Sequence, residues 1–202
     1  MIMKIAIDID DTLTDSYDYF QPHVAQFFGK DPSLLKARRI SYANIPPEWG
    51  KEVDFAHAFY DRLVPSTPFK AGAAEGMKAL KAWGHELVII TGRTKDFYLD
   101  PYATTREELQ RGGIVYDKLI CTLEKADACR REGITLLVDD MPHNCRRAEE
   151  VGVSALLFAS PMNQGNRQGL QAVTSWPDLL ERIRTGNFQP FPGHRRCGRE
   201  LG

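Results

Sequence analysis

Three apolar runs of the sequence, each as long as a buried strand, are followed by residues that could do chemistry. The runs are KIAI, LVII and LLV, and the residues that follow them are Asp8, Asp10, Thr91, Gly92, Asp139 and Asp140. In open α/β sheets, ligands bind outside the carboxyl ends of the strands. If the three runs are parallel strands of one sheet, these residues meet at one edge and form a site there.

The carboxylates of this set indicate a metal site. Asp8 and Asp10 are two residues apart on a strand, so their side chains start from the same face. With Asp139 or Asp140 nearby, three carboxylates share a small volume and stay ionised together only when a cation is present. Oxygen ligands without histidine or cysteine favour a hard ion such as Mg²⁺. Carboxylates, Mg²⁺ and the Thr91 hydroxyl suit phosphoryl transfer, in which a carboxylate can be the nucleophile.

A repeated pattern predicts the elements that carry these residues. Between about residues 72 and 186, a helix-like segment, a glycine and a short apolar run recur four times. The glycines stand where a helix C-cap needs a left-handed residue, at Gly84, Gly112 or Gly113, Gly133 and Gly152. The apolar runs HELVIITG, IVYDKLIC, ITLLVDD and VSALLFAS are typical of strands covered on both faces. With KIAIDID they predict an α/β fold, a doubly wound parallel sheet of at least five strands.

Residues 16–68 interrupt this pattern. They contain no strand-like run, but they have two helix-like patches, YDYFQPHVAQFFG and DFAHAFYDRLV, on either side of the irregular SYANIPPEWG. An interval this long between elements is an inserted unit. We expect a core of residues 1–15 and 69–187, a helical cap of residues 16–68 inserted after the first strand, and a flexible C-terminal tail of residues 188–202. Aromatic residues at helical spacing predict mainly cap core, with one or two in a binding pocket; they are Phe20, Phe27, Phe28, Tyr42, Trp49, Phe55, Phe59 and Tyr60.

Composition excludes several other classes of protein. The chain has 202 residues, 43% of them hydrophobic, and 26 basic against 27 acidic side chains. Intrinsic disorder is therefore excluded, and there is no excess of basic residues that would indicate binding to a nucleic acid polymer. The sequence has no apolar segment of membrane-spanning length and no CxxC pair among its four cysteines, which predicts a cytoplasmic protein with reduced thiols. Signatures of P-loop, dinucleotide-binding and nucleophile-elbow proteins are missing.

The motifs at the strand ends resemble those of the haloacid-dehalogenase-like (HAD) phosphohydrolase superfamily. The first motif reads DIDDTLT from Asp8 to Thr14, the second ITGR from Ile90 to Arg93, and the acidic fourth VDD from Val138 to Asp140. The resemblance spans about residues 4–158, with the insertion where that superfamily places its first type of cap. Within the superfamily, the chain looks most like the cytosolic 5'(3')-deoxyribonucleotidase group.

The resemblance implies a role for each site residue. Asp8 would be the nucleophile, and Asp10 would protonate the leaving oxygen and then activate water. Mg²⁺ would bind the Asp8 carboxylate, the Asp10 carbonyl and one aspartate of the fourth motif, with Asp140 favoured over Asp139. The phosphate would be held by Thr91, Gly92 and the lysine of the third motif, which is Lys125, with Lys118 as the competitor. Apart from the resemblance, Arg93 lies at the end of the second motif and could bind a substrate phosphate or a sugar, or be a solvated loop charge.

These roles predict an Mg²⁺-dependent phosphomonoesterase acting on a small phosphorylated substrate, a 5'-nucleotidase for (deoxy)nucleoside monophosphates. The alternatives are a phosphatase for another metabolite, such as a sugar phosphate, and a non-catalytic module that binds a phosphorylated ligand or a protein. The intact set of site residues argues against the non-catalytic module, because a binder has little need of a general acid. Neither a membrane nor a nucleic acid polymer is expected as a partner, and the sequence leaves the oligomeric state open.

Overall fold

The structure, a computed structural model, describes residues 2–188 and has a six-stranded parallel sheet at its centre. Its strands lie in the order β3-β2-β1-β4-β5-β6. They are β1 (Lys4–Ile7), β2 (Glu86–Thr91), β3 (Lys118–Cys121), β4 (Leu136–Asp139), β5 (Ser154–Phe158) and β6 (Ala172–Val173). The chain order reverses between β1 and β4, the place where open α/β sheets bind ligands. This is the predicted doubly wound α/β fold.

Helices alternate with the strands and cover both faces of the sheet. The core helices are α4 (Ala73–Ala82), α5 (Pro101–Arg111), α6 (Lys125–Glu132), α7 (Pro142–Glu150) and α8 (Trp176–Thr185). Separate apolar clusters lie on the two faces, one around Ile5 and Ile7 and the other around Ala6 and Val88. Because both faces of β1 are covered, Ile5, Ala6 and Ile7 are fully buried, and the strand leads at its carboxyl end into the site.

The segment between β1 and β2 begins with a helical cap. It contains α1 (Ser16–Phe27), α2 (Pro32–Arg38), α3 (Glu52–Leu63) and a 3₁₀ turn (Val64–Ser66). At the two ends of this insertion, Thr14 and Phe69 form an antiparallel bridge, and the Asp15 amide donates to the Pro68 carbonyl oxygen over 2.8 Å. The cap has an apolar cluster of its own, built largely from aromatic side chains.

Three local features differ from the sequence predictions. β3 begins at Lys118 rather than near Ile114, because the Asp117 carboxylate accepts the Leu87 amide at 2.7 Å and turns the chain into the sheet. The short helix α2 and the two-residue strand β6 lack a long apolar pattern and were not predicted. Of the expected tail, Phe188 packs against the core, and residues 189–202 lie outside the described part of the chain.

Within residues 2–188, none of the helices combines the length and the apolar character needed to cross a membrane. Cys121, Cys129 and Cys145 are free thiols.

Candidate active site

The carboxyl end of β1 leads directly into the site. The Asp8 amide donates to the Val138 carbonyl oxygen over 2.9 Å, so the pairing of β1 with β4 continues one residue past the strand. The next residues turn tightly, since the amides of Thr12, Leu13 and Thr14 all donate to the Ile9 carbonyl oxygen. This turn holds Asp8 and Asp10 at the end of the sheet.

Asp11 takes the sharpest position of that turn. Its φ of 57° lies in the left-handed region, which a short polar residue tolerates better than a bulky one. The carboxylate is buried and accepts the Tyr17 amide at 3.0 Å, near the start of α1. Asp11 therefore caps backbone at the entry to the cap.

A buried lysine joins the ends of two neighbouring strands. The Lys125 Nζ lies 2.7 Å from Asp8 Oδ1 and 2.7 Å from Asp139 Oδ2. Lys125 is the first residue of α6 and is only 6% exposed. The competing Lys118 lies on β3 and pairs with Glu132, with half of its side chain exposed. The structure thus brings Lys125, and not Lys118, to the carboxylates.

The two aspartates after β4 have different surroundings. Asp139 Oδ1 accepts the Met141 amide at 2.8 Å, and the Asn144 amide group donates to both Asp139 oxygens. Asp140 lines the cavity described below, and the Ser160 hydroxyl donates to its Oδ2 over 3.0 Å. Asp140 is therefore the better placed of the two to bind something in the cavity.

Three buried carboxylates come together at this point. One oxygen from each of Asp8, Asp139 and Asp140 lies within 4.8 Å of the others. Burial raises the pKa of Asp8 to about 7, with Lys125 opposing the shift and Asp139 and Asp10 adding to it. Burial also raises the pKa of Asp140 well above its usual value, and the neighbouring carboxylates raise it further. A bound cation would offset this crowding, and a set of oxygen donors fits a hard divalent ion.

Asp10 is held by donors from the core and from the cap. Arg93 grips both oxygens, with Nε 3.1 Å from Oδ2 and Nη2 3.0 Å from Oδ1. The Ser16 hydroxyl, on the first residue of α1, donates to Oδ1 over 2.8 Å. Burial acts to raise the pKa of Asp10, but the charge and hydrogen bonds of Arg93 and the Ser16 hydroxyl lower it overall.

The end of β2 supplies the residues expected to hold phosphate. Thr91 is the last residue of the strand and is fully buried, and its hydroxyl has no hydrogen-bond partner. Gly92 lines the cavity. The unpartnered Thr91 hydroxyl is available to donate to an anion, although the Thr91 side chain does not itself line the cavity.

A cavity of about 350 Å³ lies between the sheet edge and the cap. Core residues at its base include Asp8, Asp10, Lys125 and Asp140, and the cap and the segment after β2 add Ser41, Tyr42, Asn44, Glu52, Tyr60, Phe97 and Tyr98. Of the eight aromatic cap residues considered from the sequence, Tyr42 and Tyr60 line this space, and the others pack within the cap.

Sequence reasoning missed several side chains that fix the site. Ser160 and Asn163 follow β5, and the Asn163 amide group donates to the Asp140 carbonyl oxygen over 2.7 Å. The rule that found Asp139, a polar residue just past a strand, would also have pointed to Ser160. No comparable signal in the sequence pointed to Glu108, a residue of helix α5 whose carboxylate accepts from Arg93, or to Tyr98, a loop residue that lines the cavity.

A comparison with protein families places the chain in one of them. The family model for "5' nucleotidase, deoxy (Pyrimidine), cytosolic type C protein" matches residues 1–187. No protein of the curated set matches the chain.

Solved structures share the fold at low sequence identity. A predicted phosphatase from Clostridium acetobutylicum is 16% identical, with a TM-score of 0.66, over 92% of this chain and 100% of that chain. A HAD family hydrolase from Deinococcus radiodurans R1, with bound phosphate and sodium, is 15% identical, with a TM-score of 0.62, over 94% and 98%. A D,D-heptose 1.7-bisphosphate phosphatase from B. bronchiseptica, complexed with magnesium and phosphate, is 11% identical, with a TM-score of 0.51, over 91% and 99%.

The structural likeness covers nearly all of each chain, and the family model spans both the sheet and its inserted cap. The chain therefore belongs to the cytosolic type C 5'-nucleotidase family, within the HAD-like phosphatases.

Proposed function

We propose that the protein is an Mg²⁺-dependent phosphomonoesterase that hydrolyses deoxynucleoside 5'-monophosphates through an aspartyl-phosphate on Asp8. The observation that carries this proposal is the contact of Lys125 with both Asp8 and Asp139 at the base of a cavity roofed by the cap. The carboxylate of Asp8, at the end of a central strand, can attack a phosphate group. The buried, positively charged Lys125 beside it offsets the negative charge of that phosphate.

The reaction needs one nucleophile and one group that moves protons. Contacts with Arg93 and Ser16 lower the pKa of Asp10 in the free site, but the negative charge of a bound phosphate ester raises it, so Asp10 takes up a proton from solvent when the ester binds. An Asp8 oxygen then attacks phosphorus as the ester P–O bond breaks, and Asp10 gives that proton to the departing oxygen. Water then attacks the phosphorus of the aspartyl-phosphate, Asp10 takes a proton from that water, and the bond to Asp8 breaks to release phosphate. Lys125, the Thr91 hydroxyl and the Gly92 amide hold the phosphate oxygens during both steps.

The carboxylates of Asp8 and Asp140 would hold Mg²⁺, with Asp139 fixing Lys125 beside them. When bound, the ion supplies positive charge that neutralises the transferring phosphoryl group.

A panel of phosphate esters tests the proposal. The full chain is given deoxyribonucleoside and ribonucleoside 5'-monophosphates, sugar phosphates and p-nitrophenyl phosphate, with Mg²⁺ or with EDTA, and phosphate release is measured. We expect kcat/KM for the best deoxynucleotide to exceed that for sugar phosphates by at least about tenfold, and EDTA to abolish turnover. Turnover that persists in EDTA would contradict the metal dependence. Binding without turnover of any ester would instead indicate the non-catalytic module.

The aromatic roof of the cavity supports a nucleotide over a sugar phosphate. Tyr42 packs against Tyr60 at 5.9 Å between ring centroids, and both rings line the space above the carboxylates. Since stacking on an aromatic side chain is worth about 1–3 kcal/mol per base, Tyr42→Leu is expected to lower kcat/KM for nucleotides by about tenfold. The kcat/KM for glycerol phosphate, which has no ring, should stay within about twofold.

Trp49→Leu is the matched control for this prediction. Trp49 packs against Phe28, 6.4 Å between ring centroids, and does not line the cavity. Its replacement changes the cap core but removes no ring from the proposed base site. An equal loss for nucleotides in both variants would mean that Tyr42 acts through the stability of the cap, and the assignment of the base site would be wrong.

The second candidate substrate is a sugar phosphate, and polar cap residues in the same cavity support it. Ser41, Asn44 and Glu52 could each hydrogen-bond a hydroxyl group. If this candidate is right, the panel shows its highest kcat/KM on a sugar phosphate, and Tyr42→Leu has little effect on that substrate.

A further inference from the structure

The guanidinium of Arg93 donates hydrogen bonds to protein side chains on both of its sides. Arg93 is only 2% exposed. Besides its two hydrogen bonds to Asp10, its Nη1 lies 2.5 Å from Glu108 Oε2 and 3.4 Å from the Thr105 hydroxyl. Four of its five N–H groups therefore have partners. Arg93 also lines the cavity, and one of its N–H groups remains for a substrate phosphate, the role that the sequence suggested.

Glu108 does not itself line the cavity, and yet it is fully buried in α5. Its other oxygen, Oε1, has no hydrogen-bond partner. Removing two charges from water costs about as much as their pairing returns, so a buried ion pair adds little to stability compared with apolar residues. Stability alone therefore does not explain why α5 presents a carboxylate to Arg93.

We propose that Glu108 is a positioning residue for Asp10, acting through Arg93. Arg93 has a long side chain on the loop after β2, and one contact at its tip would leave it several rotamers. Glu108 and Thr105, three residues apart on one face of α5, fix the far side of the guanidinium. The near side then donates to both oxygens of Asp10, and the Ser16 hydroxyl fixes Asp10 from the cap.

The inference rests on the proposed function, in which Asp10 gives a proton to the leaving oxygen. An alkoxide leaves poorly without that proton, whereas p-nitrophenolate leaves readily without it. A residue that positions Asp10 should therefore matter for a deoxynucleoside monophosphate and matter little for p-nitrophenyl phosphate. The ratio kcat/KM is the quantity to compare, because it covers the steps up to release of the first product and excludes hydrolysis of the aspartyl-phosphate.

The test compares Glu108→Gln with Glu107→Gln, an exposed neighbour on the same helix. For Glu108→Gln we expect kcat/KM to fall about 10- to 100-fold on the deoxynucleoside monophosphate and less than about threefold on p-nitrophenyl phosphate. Glu107→Gln should change neither value. An equal fall on both esters, or no fall on either, would overturn the proposal.

A second variant covers the case in which Glu108→Gln fails to fold. Arg93→Lys keeps the charge but cannot grip two oxygens, and it should show the same dependence on the leaving group. Because both residues act through one chain of contacts, the double variant should lose little more than either single variant. Additive losses would mean that Glu108 and Arg93 act separately.

A readout without turnover separates this inference from the proposed function. The Nε–H group of Arg93 is buried and bonded to Asp10, so its NMR resonance should exchange slowly with water in the unaltered chain. Glu108→Gln should speed that exchange at least about tenfold, and Glu107→Gln should leave it unchanged. Unchanged exchange in Glu108→Gln would refute the positioning role, even if the chain hydrolysed none of the esters.

Discussion

Asp8→Asn is expected to lower kcat for every ester that the protein hydrolyses, by roughly 10⁴-fold or more, the order of loss when a covalent nucleophile is removed. An amide has nearly the shape of the carboxylate and can still accept a hydrogen bond from Lys125, 2.7 Å away in the present structure. It cannot form the aspartyl-phosphate. The measurement is initial-rate kinetics with Mg²⁺ on p-nitrophenyl phosphate and on the best nucleotide of the panel.

The loss of activity in Asp8→Asn should not come from unfolding. Asp8 has a pKa of about 7 in the folded protein against an ordinary value of 3.8, so the folded chain holds this proton up to a higher pH than the unfolded chain does. Ionising Asp8 therefore costs stability, and this cost grows from about pH 4 to pH 7 and is fully present above it. At pH 8 without metal, the urea midpoint of Asp8→Asn should equal or exceed that of the unaltered chain.

Asp127→Asn is the control for Asp8→Asn, since Asp127 lies on the surface of α6 with half of its side chain exposed. It should keep both full activity and the same unfolding midpoint. Added Mg²⁺ should raise the midpoint of the unaltered chain and of Asp127→Asn more than that of Asp8→Asn, which lacks one ligand. Residual kcat within about tenfold of the unaltered value in Asp8→Asn would refute the nucleophile assignment.

The convergence of Asp8, Asp139 and Asp140 could be predicted because it follows from topology. Residues just past the ends of parallel strands share one edge of the sheet, whatever the side-chain packing beneath them is. The difference between Asp139 and Asp140 could not be derived in this way. It depends on Lys125, Asn144 and Ser160, whose side chains reach the carboxylates from α6, α7 and the segment after β5.

Glu107 and Glu108 illustrate where sequence reasoning ends. The two residues are identical and adjacent, but one is exposed and the other is fully buried against Arg93. Which face of α5 turns inwards is decided by the packing of the whole helix on the sheet, and a buried charge gives no apolar signal that would mark that face. The sequence of the cap likewise does not show which aromatic residue lines the cavity. Tyr42 and Trp49 lie in one irregular segment, but only the ring of Tyr42 lines the cavity.

Lys125→Met is expected to remove activity and to destabilise the fold as well. Burial acts to lower the pKa of Lys125, but the carboxylates of Asp139 and Asp8 outweigh it and raise the pKa above its usual value, so the lysine is charged. Its removal leaves two buried carboxylates without their cation, a loss that costs about 3–5 kcal/mol when one partner of a buried pair is deleted. We expect kcat to fall roughly 10³-fold, since a single charge-stabilising donor is worth about 10²–10³ and this one also contacts the nucleophile.

A second substitution separates these two effects of Lys125. Adding Asp139→Asn to Lys125→Met removes one of the unpaired carboxylates, so the double variant should regain part of the lost urea stability while kcat stays low. Lys118→Met, on the exposed end of β3, should change neither quantity appreciably, because its ion pair with Glu132 is exposed to water. If the double variant recovered activity together with stability, Lys125 would act on the fold alone. If Lys118→Met lost as much kcat as Lys125→Met, the assignment of the phosphate-binding lysine would be reversed.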